Sequence, residues 1–149
     1  MMAVRVETKG FKAVDDYLRK KGVMPEAAFD RGLTKWIVAA HRKSLDLLGG
    51  GGSDAPGSYP VPIHTGNLRR GEDYIAPGES KHGISAGSGM AVLVNTAAYA
   101  TSIHNGNRVT RSGTRYMVRP RPFQIDAVEA TRETGMRHMM VEVRRDLTP

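Results

Sequence analysis

A chain of 149 residues has room for one domain with a hydrophobic core, and 40% hydrophobic with 25% charged residues argues against wholesale disorder. No apolar run approaches the ~20 residues that cross a bilayer, the N-terminal MMAVRVETKG lacks the apolar core of a signal peptide, and the absence of cysteine excludes disulfides and thiolate chemistry. A balance of 22 Lys and Arg against 15 Asp and Glu leaves a net charge of +7, which favours contact with polyanions or an acidic partner.

In chain order, Met2, Val4 and Val6 alternate with Ala3, Arg5 and Glu7, a period of two that predicts a short strand over 2–7. Phe11, Val14 and Leu18 then share one helical stripe. Asp15 and Asp16 precede Arg19, Lys20 and Lys21, the charge order that suits the helix dipole, and Gly22 ends the element. Pro25 opens a second helix over 25–48, about 36 Å long at 1.5 Å per residue. Its apolar stripe is Phe29, Leu33, Trp36, Ile37, Ala40, Ser44, Leu47 and Leu48, with Trp36, the only tryptophan, expected in the core. Residues 49–62 read as a flexible Gly/Pro-rich loop, stiffened toward its end by Pro56, Pro60 and Pro62.

Thr65 reads as the N-cap of a single helical turn, its hydroxyl accepting from the amide of Asn67 or Leu68. Gly66 permits the tight turn, Leu68 plugs the core, and Arg69 and Arg70 stand just before a strand. Residues 72–76, 82–86 and 90–95 read as three short strands joined by Gly-containing turns. The last is apolar on both faces and is expected to be central. A short helix with Tyr99 and Ile103 at i and i+4 follows, then an Arg-rich hairpin at 105–121 turning at Ser112-Gly113, with strands near 107–110 and 115–118. Pro122 opens one final helix reaching Asp146. Gly135 is expected to weaken its middle by ~1 kcal/mol relative to Ala. Met136, Met139, Met140 and Val143 supply a soft apolar surface, read as core or as a repackable subunit interface. The sum is an α+β fold in a single domain spanning 1–149: a long N-terminal helix and a C-terminal helix packed on one face of a small antiparallel β-sheet, with long extended loops.

No chemistry-bearing constellation emerges. The five histidines, His41, His64, His82, His104 and His138, are never paired at i, i+3 or i, i+4, so no catalytic, cofactor or metal site is expected. GISAGSG (83–89) resembles a glycine-rich phosphate loop, but a strand rather than a helix follows it, and it reads as a hairpin turn. The adjacent carboxylates Asp15/Asp16 and Glu72/Asp73 do not converge on one point. The basic segment differs. Arg108, Arg111, Arg115, Arg119 and Arg121 occur with no acid anywhere from 105 to 123. Three readings apply: a solvated hairpin, a DNA-facing surface, or a docking loop for an acidic groove on a neighbouring subunit. Sparse aromatic residues make any DNA contact backbone-directed rather than base-stacking.

Three stretches, PVPIHTGNLRRG (60–71), VLVNTAAYATSIHNGNR (92–108) and RPRPFQIDAVEAT (119–131), stand in an order that resembles the neck or tail-completion family of long-tailed double-stranded DNA phages, also described as minor tail components. The matching positions are Thr65, Gly66, Leu68 and Arg69, then Tyr99, Ala100 and Gly106, then Arg121, Pro122 and Phe123. The resemblance covers roughly residues 25–145. One departure is His104, where the family often carries a glutamate, so an ion pair made there is absent or pH-dependent here.

The resemblance implies a non-enzymatic virion protein, made in the host cytoplasm and resident in the neck or tail. It implies a six-fold homo-oligomeric ring that joins head-completion or connector proteins above to tail-terminator or tail-tube proteins below. Packaged double-stranded DNA would pass through the channel, and neither membrane nor small-molecule substrate enters. Arg69, Arg70, Arg108, Arg111, Arg115, Arg119 and Arg121 are then the candidates for subunit interface or channel lining. The competing reading, from the charge of +7 and the arginines, is a stand-alone basic module that binds the nucleic-acid backbone without sequence specificity. A hydrolase using His104 or His64 is the remotest alternative.

Overall fold

The computed structural model describes residues 1–8, 12–49, 59, 66–109, 112–113, 115–117 and 119–148, with backbone only at 107–109 and 115–117. Its elements are β1 (Met2–Glu7), α1 (Lys12–Lys20), α2 (Pro25–Leu47), α3 (Asn67–Arg70), β2 (Glu72–Ile75), β3 (Ser80–Lys81), β4 (Ile84–Ser85), β5 (Met90–Asn95), α4 (Ala100–Asn105), β6 (Asn107–Val109), β7 (Arg115–Met117), α5 (Phe123–Ala130) and α6 (Arg132–Leu147). The fold is α+β, as the sequence pattern predicts.

The main sheet has the order β1-β5-β2 and is antiparallel throughout, with Met2 opposite Asn95 in one pair and Ile75 opposite Val92 in the other. β5 is central because both its faces are apolar. Ala91 and Leu93 pack with Leu33, Trp36, Ile37, Ala40 and Met139 of α2 and α6. Val92 and Val94 pack on the opposite side with Ile75 and Ala86. This is the alternation of strand side chains across a sheet, with each face given its own hydrophobic cover.

The expected strand at 82–86 is instead the hairpin β3–β4. Its turn falls on His82 and Gly83, both with positive φ (53° and 75°). Two left-handed residues match the twist of a two-residue hairpin loop, so the chain reverses where the pattern suggested a strand start.

The expected single C-terminal helix is interrupted at Thr131. The Thr131 hydroxyl donates toward the carbonyls of Ala127 (2.8 Å) and Val128 (3.2 Å) and accepts the Trp36 indole N–H at 3.1 Å. Back-bonding of a threonine hydroxyl onto the preceding turn bends helices, and the segments on both sides of Thr131, α5 and α6, pack against α2. Gly135 lies at the crossing: a Cβ built there would meet Trp36 Cδ2 at 2.1 Å. The residue expected to weaken the helix is what allows it to approach the indole.

Charged residues also hold α6 in place. Glu142 is buried (2% exposed) and accepts from Arg31 Nε at 2.8 Å and from Lys35, while Arg31 Nη2 reaches Asp146 at 2.5 Å. These cations hold the Glu142 carboxyl down at about 2. Glu142 stands seven positions after Gly135 and three after Met139, so the buried stripe of α6 is Gly135, Met139 and Glu142. Met136 and Met140 lie off it and are exposed. Among the described residues no helix is long and apolar enough to cross a membrane, and no group of three or more metal-ligating side chains occurs.

Candidate functional site

The three motif-bearing stretches meet at one junction. Gly66 adopts the left-handed conformation (φ 71°, ψ −4°), which turns the chain into α3 and drives Leu68 inward. Leu68 from the first stretch, Ala100 from the second and Phe123 from the third form one core cluster with Leu48 at the end of α2. The amide of Leu68 donates to the Tyr99 hydroxyl at 3.1 Å. That amide was one of the two expected to be satisfied by Thr65. The tyrosine oxygen accepts it here, and the residue at the cap position of α3 is Gly66 rather than the expected Thr65, which lies outside the described residues. The Arg121 N–H donates to the Ile103 carbonyl at 3.1 Å, tying the third stretch to α4. Gly106, with φ 76°, ends α4 and leads into β6, and Pro122 immediately precedes α5.

His104 sits inside this junction. It is buried (8% exposed), with its ring edge-on to Phe123 at 5.8 Å between centroids and 78° between planes. Burial depresses its pKa, and the nearby charge of Asp126 opposes that shift. Its Nδ1 is buried without a hydrogen-bond partner among the described residues. This environment favours the neutral imidazole.

Beneath the junction lies a polar cluster that sequence inspection missed. Glu72 (7% exposed) accepts from Ser44 Oγ at 2.7 Å, Asn95 Nδ2 at 2.7 Å and Gln124 Nε2 at 3.0 and 3.1 Å. Asn95 Nδ2 also donates to the Leu68 carbonyl at 2.8 Å. One carboxylate thereby connects α2, β2, β5 and α5. Burial raises its pKa, and the three donors offset part of that rise. Its neighbour Asp73 turns the other way, toward His82 Nε2 at 3.0 Å and Lys81 Nζ at 3.5 Å. The two adjacent carboxylates therefore act separately, as expected. The available signal was the register: Glu72 lies directly opposite Asn95 at the end of the central strand.

Tyr59 is a second residue the sequence did not single out. Within the 49–62 loop only Gly49 and Tyr59 are described, so the expected flexibility of that loop falls outside the described residues. The Tyr59 ring packs on the Leu68–Phe123 cluster and its hydroxyl donates to Asp126 Oδ2 at 2.6 Å. Burial and the carboxylate both push its pKa upward.

The arginines divide. Arg69, Arg70 and Arg119 are exposed, and Arg70 Nη2 donates to Asn67 Oδ1 at 3.0 Å. Arg108 and Arg115 lie on β6 and β7, which pair antiparallel with Arg108 opposite Tyr116, as the hairpin pattern predicts. Arg111 lies outside the described residues. Arg121 departs from the expected group. It is 5% exposed, because its backbone is bound to α4 and Phe123 beside it is fully enclosed, so it belongs to the junction rather than to the exposed basic surface.

Comparison with known proteins gave no matching family model and no significant match to a curated protein or a solved structure.

Proposed function

We propose that this chain is a structural virion protein of a tailed phage, forming a ring at the head–tail junction or upper end of the tail. The observation that carries the reading is the convergence of Leu68, Ala100 and Phe123 on one cluster. Three stretches that resemble the family in order along the chain also form one packed unit, braced by Tyr99 and by the Arg121–Ile103 bond. Exposed Arg69 and Arg70 flank that unit on α3. A closed ring needs two different, complementary patches on each subunit, and a basic patch on one edge suits such a heterologous contact or a DNA-lined channel. The channel surface would bind weakly and without sequence preference, through phosphate alone.

Electron microscopy of virions assembled without this protein tests the proposal. Unjoined heads and tails are expected, and full heads carrying intact tails would refute it. The second reading, a stand-alone nucleic-acid-binding module, draws on the net charge of +7 and the exposure of Arg69, Arg70 and Arg119. It requires the monomer to bind duplex DNA with an affinity that falls steeply with salt, and the triple change Arg69→Ala, Arg70→Ala, Arg119→Ala to flatten that slope. A monomer that binds DNA no better than its triple variant removes the second reading and leaves the first intact.

A further inference from the structure

Between α1, α2 and α6 lies a groove of about 260 Å³ walled by Val14, Phe29, Met136, Met139, Met140 and Val143. Several wall residues open to solvent: Val14 is 43%, Met136 38% and Met140 52% exposed, and Val141 (51%) and Leu147 (38%) extend the apolar surface along α6. From Met136 to Leu147 the surface runs about 16 Å along the helix axis, roughly three helical turns. Six of these side chains are methionine or a neighbouring aliphatic on α6, a soft lining that adjusts to an incoming apolar ridge.

The rim is basic. Arg132, Arg137 and Arg144 line the groove or the shallow surface continuous with it, and all three are exposed. Arg137 and Arg144 make no ion pair among the described residues. The acids on α6 that could neutralise them are engaged elsewhere: Glu142 with Arg31, Lys35 and Arg145, and Asp146 with Arg31. Glu133 alone stands on the rim.

We infer that this groove docks an amphipathic helix of about three turns on a partner protein, with an apolar stripe at i, i+3/i+4, i+7 and acidic residues flanking it. The floor matches the stripe and the arginines match the flanks. A second copy docking through this same face is a poorer occupant, because it would bring its own arginine rim against this one. An anionic membrane is also poorer, because the apolar side chains line a recess between three helices rather than crown a convex face. The inference does not depend on the virion reading.

The test uses the full chain with its eight methionines carrying 13C-labelled methyl groups. Two helical peptides of about 14 residues are titrated, sharing one leucine stripe but flanked by glutamate in one and lysine in the other. The glutamate peptide is expected to bind at least about tenfold tighter than the lysine peptide, with methyl shifts centred on Met136, Met139 and Met140. Met140→Glu, at an exposed position, should abolish binding with the helical circular dichroism unchanged. Arg137→Glu with Arg144→Glu should reverse the preference between the peptides. Absence of binding, equal binding of both peptides, or shifts at other methionines overturns the inference. So does a dimer in sedimentation that dissociates on Met140→Glu, or stronger shifts of the same methyls with phosphatidylserine vesicles than with the glutamate peptide.

Discussion

Gly135→Ala separates what helix propensity predicts from what packing predicts, because the two have opposite signs. Alanine inside a helix is favoured over glycine by about 1 kcal/mol, so propensity alone makes the variant more stable. The structure puts the new methyl at 2.1 Å from Trp36 Cδ2, 2.3 Å from Cγ and 2.5 Å from Cε2. These atoms all belong to the five-membered ring of the indole, which is 9% exposed and whose Nε1–H is held by Thr131. The ring cannot swing aside without losing that bond and disturbing Leu33, Ile37 and Leu93 around it. Overpacking of this kind costs up to about 3 kcal/mol, which leaves a net loss of about 2 kcal/mol once propensity is credited. For a chain of this size that lowers the melting temperature by roughly 4–8 °C.

Thermal and urea unfolding, followed by far-ultraviolet circular dichroism and by the fluorescence of the single tryptophan, measures the change. Trp36→Leu should be destabilising alone, by about 3 kcal/mol, for the cavity it leaves. Combined with Gly135→Ala it should cost less than the sum, since the methyl enters the vacated space, with a coupling of about 1 kcal/mol. A Gly135→Ala protein as stable as the parent, or more so, would refute the close-packed crossing of α2 and α6.

Three further expectations concern buried ionisable groups. Glu72→Ala leaves the donors of Ser44, Asn95 and Gln124 without their acceptor and should cost on the order of 3 kcal/mol in urea unfolding at neutral pH. Because the native pKa of Glu72 is raised above 4.5, its contribution is full below pH 4.5 and declines as pH rises through the native value; Glu72→Gln should remove that part of the pH profile. His104 has the opposite dependence: its native pKa lies below 6.5, so stability is full above pH 6.5 and falls as pH drops toward the native value. His104→Phe should abolish this slope, and an NMR titration showing a pKa at or above 6.5 would contradict the buried neutral ring. Glu142, held at about 2 by Arg31 and Lys35, contributes stability above pH 4.5 that is lost as pH falls from 4.5 toward 2; Glu142→Gln should be less stable at pH 7 and lack that acid transition.

Much of the fold was legible because it rests on local periodicity. The alternation of Met2, Val4 and Val6, the stripe from Leu33 to Leu48 and the doubly apolar Met90–Val94 run each specify how many faces an element must cover, and the structure covers those faces. The hairpin at β6–β7 followed from its Ser-Gly turn. The candidate site was only half legible. Gly66, Leu68, Tyr99 and Phe123 could be picked out as positions, but no spacing along the chain shows that a tyrosine hydroxyl takes the Leu68 amide, or that Arg121 is enclosed while Arg119 is not.

What the sequence determined by itself was the set of amphipathic elements, their order, and a basic balance unrelieved by acids from 105 to 123, all properties of neighbours within a few residues. Only the tertiary structure decided where polar groups are buried. Nothing in a local window marks Glu72 or Glu142 as interior, yet both are buried, because partners distant in the chain supply the hydrogen bonds and cations that offset desolvation. It also decided the sign of Gly135, a weak point of an isolated helix and a requirement once the Trp36 ring lies against it. Both outcomes have one cause. The free energy of a polar or small residue depends on what stands opposite it, and that is set by contacts between elements rather than by the pattern within one.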